Sequence, residues 1–183
     1  AYIDQGLIYQ NPFIIAFNHE DDPDYDGHRY DYPDGALVVG GGLASIDVAK
    51  VLMLETTRAR LAERGFNASL VDLETKGIPK ILAGLGLSFV DLELEGCTIF
   101  YRRDIADMPL SEIPEGATPE RIDKVQKGRR KILEKAMTKF CFKMEPLCSP
   151  EAALIDEGVL VGIRFRRTRI EDGRVCMTDE TFE

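Results

Sequence analysis

Three consecutive glycines, Gly40, Gly41 and Gly42, are followed by Leu43, Ala44 and Ser45. Gly40, Gly42 and Ser45 thereby fall in the spacing G-x-G-x-x-[GAS]. Each position has a chemical reason in a dinucleotide site: the first glycine permits a tight turn, the second lets backbone approach a pyrophosphate, and a small third residue lets helix and strand pack closely. A helix opening at that point adds free amide donors and a partial positive charge for the phosphates. A second group could complete such a site. The apolar run "CTIFY" ends on Arg102 and Arg103, where a dinucleotide fold ordinarily carries an acid for the adenosine ribose hydroxyls. Guanidinium groups there remove the repulsion and offer planar donors to a ribose 2′-phosphate, so the cofactor these residues imply is NADPH. The plain alternatives are a glycine turn with no ligand and a surface cap on a strand.

The elements that must hold these residues are visible as changes of pattern. "ALVVGGGLASIDVAKVLMLETTRARLAERG" is a short, continuously apolar strand at Ala36 to Val39, expected to be buried, then the glycines, then a long helix in which Asp47 complements the dipole. The second strand of the fold is expected roughly 20 residues after the glycines. It is instead "CTIFY", and residues 66–95 intervene as a helical insertion, with Pro79 suited to a first helical turn and Gly84 and Gly86 to its end. A basic helix follows in "PERIDKVQKGRRKILEKAM". In the tail, "VLVGIRFRRTRIEDGRVCM" alternates apolar and polar residues around the turn signal Asp172-Gly173, giving two antiparallel strands added to a parallel sheet. Arg164, Arg166 and Arg167 read as a solvated face of that hairpin. The fold class is therefore α/β: a Rossmann-like three-layer nucleotide-binding domain with a helical insertion after the first helix and a C-terminal antiparallel hairpin or meander.

Other chemistry finds little support. In the acidic segment "NHEDDPDYDGHRYDYPDG", Asp22, Asp24 and Asp26 precede Gly27 as in the opening of a calcium loop, but Pro33 stands where the bidentate glutamate belongs. A solvated connector is the better reading, with His19 and His28 as surface residues. Cys97, Cys141, Cys148 and Cys176 show no C-x-x-C pairing and read as reduced thiols. No nucleophile beside a base and no paired carboxylates at fixed helical spacing are evident. Over 183 residues, 44% hydrophobic and 30% charged, the composition is that of a globular domain. The net charge of −9 argues against a nucleic-acid partner. Neither a membrane span nor a signal peptide is apparent, which points to the cytoplasm.

Taken in order, "VVGGGLASIDVAKV", "TIFYRRDIADMP", the basic helix, "CFKMEPLCSP" and "VLVGIRFRRTRIEDGRV" resemble the NADPH-binding domain of the glutamate synthase small subunit and related pyridine nucleotide-disulfide oxidoreductase-like flavoproteins. The tract "YRRD-x-A-x-MP" is its most specific part, and the likeness covers roughly residues 7 to 178, apart from the acidic loop and the insertion. Leu43 departs from it, standing where the family commonly has asparagine or aspartate. The resemblance implies NADPH held by Gly40 to Ser45, Arg102 and Arg103, with hydride passing to an FAD bound by another domain of the same parent chain. An iron–sulfur domain or subunit is a further partner it allows. Residues 1–183 then read as a single excised NAD(P)H-binding domain, inactive alone. The competing readings are a non-catalytic nucleotide-binding regulatory module and a Rossmann-type methyltransferase. The latter needs an acid where Arg102 and Arg103 stand.

Overall fold

The computed structural model describes residues 6–183; residues 1–5 of the expected single domain lie outside them. Helix α1 (Gln10–Asn18) turns Phe13 and Ala16, three residues apart on one face, into the core. The acidic segment then runs without regular structure, as its composition predicts. Arg29 gathers it from within, donating to the carbonyls of Glu20 at 2.6 Å and Asp22 at 3.0 Å, and the Tyr32 hydroxyl donates to the Glu20 carboxylate at 2.9 Å.

Strand β1 (Leu37–Val39) leads through the glycines into α2 (Leu43–Glu63), and two short helices follow, α3 (Leu70–Lys76) and α4 (Ile78–Gly84). Their ends obey local rules. Ser69 caps α3 by accepting from the Asp72 amide at 3.0 Å, Gly77 takes a left-handed φ of 91° between the helices, and Pro79 sits in the first turn of α4. Residues 66–95 thus hold two short helices, and they are built into the main core, where Leu73, Ile78, Leu82 and Leu92 are fully buried. Strand β2 (Thr98–Tyr101) comes next, then α5 (Pro119–Phe140), β3 (Lys143–Pro146), β4 (Cys148–Asp156), β5 (Val159–Glu171) and β6 (Arg174–Phe182).

Strands β1, β2 and β3 form a parallel sheet in that order, with Val39 opposite Phe100 and Phe100 opposite Glu145. Alternation along β2 sends successive side chains to opposite faces. Ile99 joins the cluster made by α2, α4 and α5, while Phe100 stacks on Phe165 of β5 with ring centroids 4.1 Å apart. Phe165 stacks in turn on Phe182 of β6 at 5.6 Å. The three layers are helices, parallel sheet and antiparallel sheet.

Two expectations are corrected here. The tail strands do not extend the parallel sheet; β4, β5 and β6 make an antiparallel sheet of their own, packed against it. Nor is β1 a buried strand. It lies at the edge, paired only with β2 among the described strands, and Leu37 and Val39 are 41% and 49% exposed. The hairpin arginines are half-solvated but partnered: Arg164 with Glu183 at 2.6 Å, Arg166 with Glu151, and Arg167 with Glu145. All four cysteines are free thiols, and burial pushes Cys97 up to about 12. No helix among the described residues is long and apolar enough to cross a membrane.

Candidate nucleotide-binding site

Parallel pairing brings the C-terminal ends of β1 and β2 side by side, and the chain continues from both into the candidate residues. The Gly40 amide donates to the Phe100 carbonyl at 3.0 Å, so the last rung of the ladder lies directly beneath the turn. Gly42 is the N-cap of α2 in extended conformation, and no side chain caps the helix there. The first-turn amides of α2, those of Leu43 and Ala44 among them, therefore keep the donor capacity that a helix N-terminus offers to anions.

The glycines differ in what they permit. None of the three takes a left-handed φ, so the tight turn expected of Gly40 needs no glycine-only conformation. A Cβ on Gly40 would sit 2.2 Å from the Ser45 hydroxyl, which is the close helix–strand approach the small third residue allows. At Gly42 a Cβ would meet nothing within 4 Å and would project into open space, the space a phosphate needs in order to reach the backbone. Gly41, the unspecified position of the motif, is the most constrained: a Cβ there would lie 2.2 Å from the Tyr101 ring. Tyr101 is half-buried, and its hydroxyl donates to the Asp107 carbonyl at 3.3 Å. Burial raises its phenol above the ordinary range, with the positive charge of Arg103 opposing and Asp107 adding to the rise.

Beyond Tyr101, the two arginines have different situations. Arg102 is exposed and enters no ion pair among the described residues. Arg103 is half-buried and donates to the Gly173 carbonyl at 3.1 Å, in the turn between β5 and β6. Asp104 follows at once, yet it is not available as a ribose acid. Its carboxylate caps the short helix Ile105–Asp107 by accepting from the Ala106 amide at 2.8 Å, and it accepts from Arg130 of α5 at 2.7 Å. Buried Arg129 holds the same loop from below, donating through Nε to the Ser111 carbonyl at 3.1 Å. The site thus brings an exposed guanidinium, without an ion pair among the described residues, to the same end of the sheet as an uncapped helix N-terminus, and the carboxylate next to the arginines in the chain is already engaged.

Spacing alone singled out the glycines and the arginine pair, and the fold brings both to one end of the parallel sheet. Tyr101, Thr168 and the Gly173 carbonyl were not legible. Their roles depend on a strand pairing and on a turn remote in the chain, and no local pattern marks them. A cavity of about 820 Å³ lies elsewhere: it follows the free edge of β1 between residues 6–10 and β5, and of residues 40–45 only Ser45 borders it.

No family model matches this chain, and no curated protein does. Among solved structures, the chain is similar to Mycobacterium tuberculosis FprA in complex with NADPH, at 19% identity and a TM-score of 0.45. That similarity takes in 82% of this chain and spans 37% of the length of the other.

Proposed function

We propose that the chain is an NADPH-binding domain of a flavoprotein oxidoreductase resembling the glutamate synthase small subunit, presenting the nicotinamide to an FAD that another domain of the parent protein holds. One observation carries the reading. At the C-terminal ends of two adjacent parallel strands, an uncapped helix N-terminus with open space at Gly42 is brought together with an exposed Arg102 that enters no ion pair among the described residues, and the carboxylate that follows the arginines, Asp104, is engaged elsewhere.

Those residues suit the cofactor's charge. Amides of the first turn of α2 would hold the pyrophosphate, and the open approach at Gly42 would let it come against backbone. Arg102 would take the 2′-phosphate, with Arg103 contributing its charge from a tethered position. When bound, the nicotinamide supplies the hydride. The chain's own part is to bind and orient: Tyr101 stands behind the glycine turn, and the Asp104–Arg130 pair ties the start of the following loop to α5. The FAD domain, with an iron–sulfur domain or subunit where one exists, is the proposed partner.

Calorimetric titration of the chain with NADPH and NADH tests this. NADPH should bind more tightly. Because a hydrogen bond to a charged group contributes roughly 1.5 to 3 kcal/mol, Arg102→Ala should weaken NADPH by about 10- to 100-fold and leave NADH nearly unchanged. Equal affinities for the two cofactors in the parent sequence, or equal losses on substitution, would show that the arginines only terminate a strand.

A further inference from the structure

The antiparallel sheet has a second set of contacts besides the Phe100–Phe165 stack. It converges on the arginine segment and on Leu147, which holds that segment. Thr168 of β5, 5% exposed, donates its hydroxyl to the Arg102 carbonyl at 2.8 Å. Its amide donates to the Leu147 carbonyl at 2.8 Å, and the Leu147 amide donates to the Arg103 carbonyl at 3.3 Å. The Arg103 guanidinium reaches the Gly173 carbonyl at the hairpin tip. Both arginine carbonyls and one arginine side chain are therefore tied to β5 or to residues it holds.

Thr168 lies beside an irregularity of the sheet. The β5–β6 ladder is interrupted between Arg166 and Thr168, where the pairing jumps from Thr181 to Met177, so the extra residues lie on β6 opposite Arg167. On the other side of β5 the pairing with β4 ends at Arg167 opposite Cys148, and Thr168, one residue on, directs its amide to Leu147 and its hydroxyl to the Arg102 carbonyl. Arg166 and Thr178 hold the bulged segment closed: Arg166 donates to the Thr178 carbonyl at 3.0 Å, and Thr178 donates to the Arg167 carbonyl at 3.0 Å.

We propose that Thr168 is a positioning residue for cofactor discrimination: by fixing the Arg102 carbonyl, it sets where the exposed Arg102 side chain leaves the strand relative to the α2 N-terminus. This rests on the nucleotide reading given above. Beyond that reading, it assigns the antiparallel sheet a role as the rigid backing of the 2′-phosphate contact. A guanidinium that must meet a phosphate in a planar, two-donor geometry tolerates little wandering of its Cα. Loss of the hydroxyl would also leave a carbonyl without its partner, which loosens the segment rather than merely removing one bond.

The test uses the full chain in three forms: the parent sequence, Thr168→Val and Thr168→Ser. Valine keeps the shape and removes the donor; serine keeps the donor. Two readouts are taken, calorimetric affinity for NADPH and NADH, and amide hydrogen exchange at residues 101–104 without ligand. Thr168→Val should speed exchange at those residues, leave the β1 and β3 amides unchanged, and lower the NADPH-over-NADH affinity ratio about 5- to 10-fold. Thr168→Ser should restore both to within about twofold. Unchanged exchange in the valine variant overturns the clamp itself, with or without nucleotide. Faster exchange with an equal loss for NADPH and NADH reduces Thr168 to a structural residue and overturns its role in discrimination. If the parent chain shows no preference between cofactors while exchange responds as expected, the nucleotide reading fails and the discrimination role falls with it, while the clamp stands. Global unfolding of the valine variant would appear as loss of protection across the whole parallel sheet; Thr168→Ala and Thr168→Ser compared at lower temperature then give the same decision.

Discussion

At the scale of single residues, the glycine turn separates two demands that a motif runs together. Gly42 leaves room for something outside the protein, whereas Gly41 leaves room for Tyr101. Substitution should tell them apart. Gly41→Ala would drive a Cβ into ring atoms of a tyrosine held by strand β2 and by Asp107, so it should destabilise by about 1–3 kcal/mol, the usual cost of overpacking. Gly42→Ala meets no neighbour in an extended N-cap conformation that alanine adopts, and should cost under about 1 kcal/mol, arising from the poorer N-cap alone. Thermal unfolding of both variants, with NADPH titration of the second, checks this: the first should lose stability, and the second should keep it and lose affinity. The spacing of Gly40, Gly42 and Ser45 was readable because the small-residue pattern is local. The need for Gly41 was not, since Tyr101 reaches it only through the pairing of β1 with β2.

At the scale of elements, the sequence marks several strands and helices but not their neighbours. The alternation in "VLVGIRFRRTRIEDGRVCM" identifies β5, the turn at Asp172-Gly173 and β6, and Pro79 marks the first turn of α4. What the alternation leaves open is which layer covers which face. Phe165 could as well have joined the helical core, yet it stacks on Phe100 across the opposite face of β2. The exposure of β1 was hidden for the same reason, because three apolar residues say nothing about how many partners they have. Phe165 joins three strands, β2, β5 and β6, and is 1% exposed. Phe165→Ala should therefore destabilise by about 3–5 kcal/mol and uncouple the sheets. Denaturant unfolding followed by near-UV and far-UV dichroism measures it; a loss below about 1 kcal/mol would mean the antiparallel sheet rests only lightly on the parallel one.

At the scale of the whole molecule, a net charge of −9 has to be accommodated somewhere, and part of it lies against the core. The acidic segment folds over α2, where Glu55 is 3% exposed. Arg58 grips one of its carboxylate oxygens, with Nη2 at 2.6 Å and Nε at 2.9 Å, and the other oxygen has no hydrogen-bond partner among the described residues. Burial raises the Glu55 carboxyl above the ordinary range, the Arg58 contacts pull it back, and the charges of Glu20 and Asp21 add to the rise. A carboxyl whose folded pKa lies above its unfolded one favours the folded state while it is protonated. That contribution is fully present below the unfolded pKa, near 4.5, and is lost as pH rises through the higher folded value. Glu55→Gln removes the titration while keeping the shape, so the melting temperature of the parent chain minus that of the variant should be largest near pH 4 and should shrink as pH rises toward 8. A matched series of thermal melts across that range decides the point. A difference that grows with pH would mean that the ionised Glu55–Arg58 pair outweighs the burial of Glu55, and that the acidic segment is held on α2 by charge attraction rather than against charge repulsion.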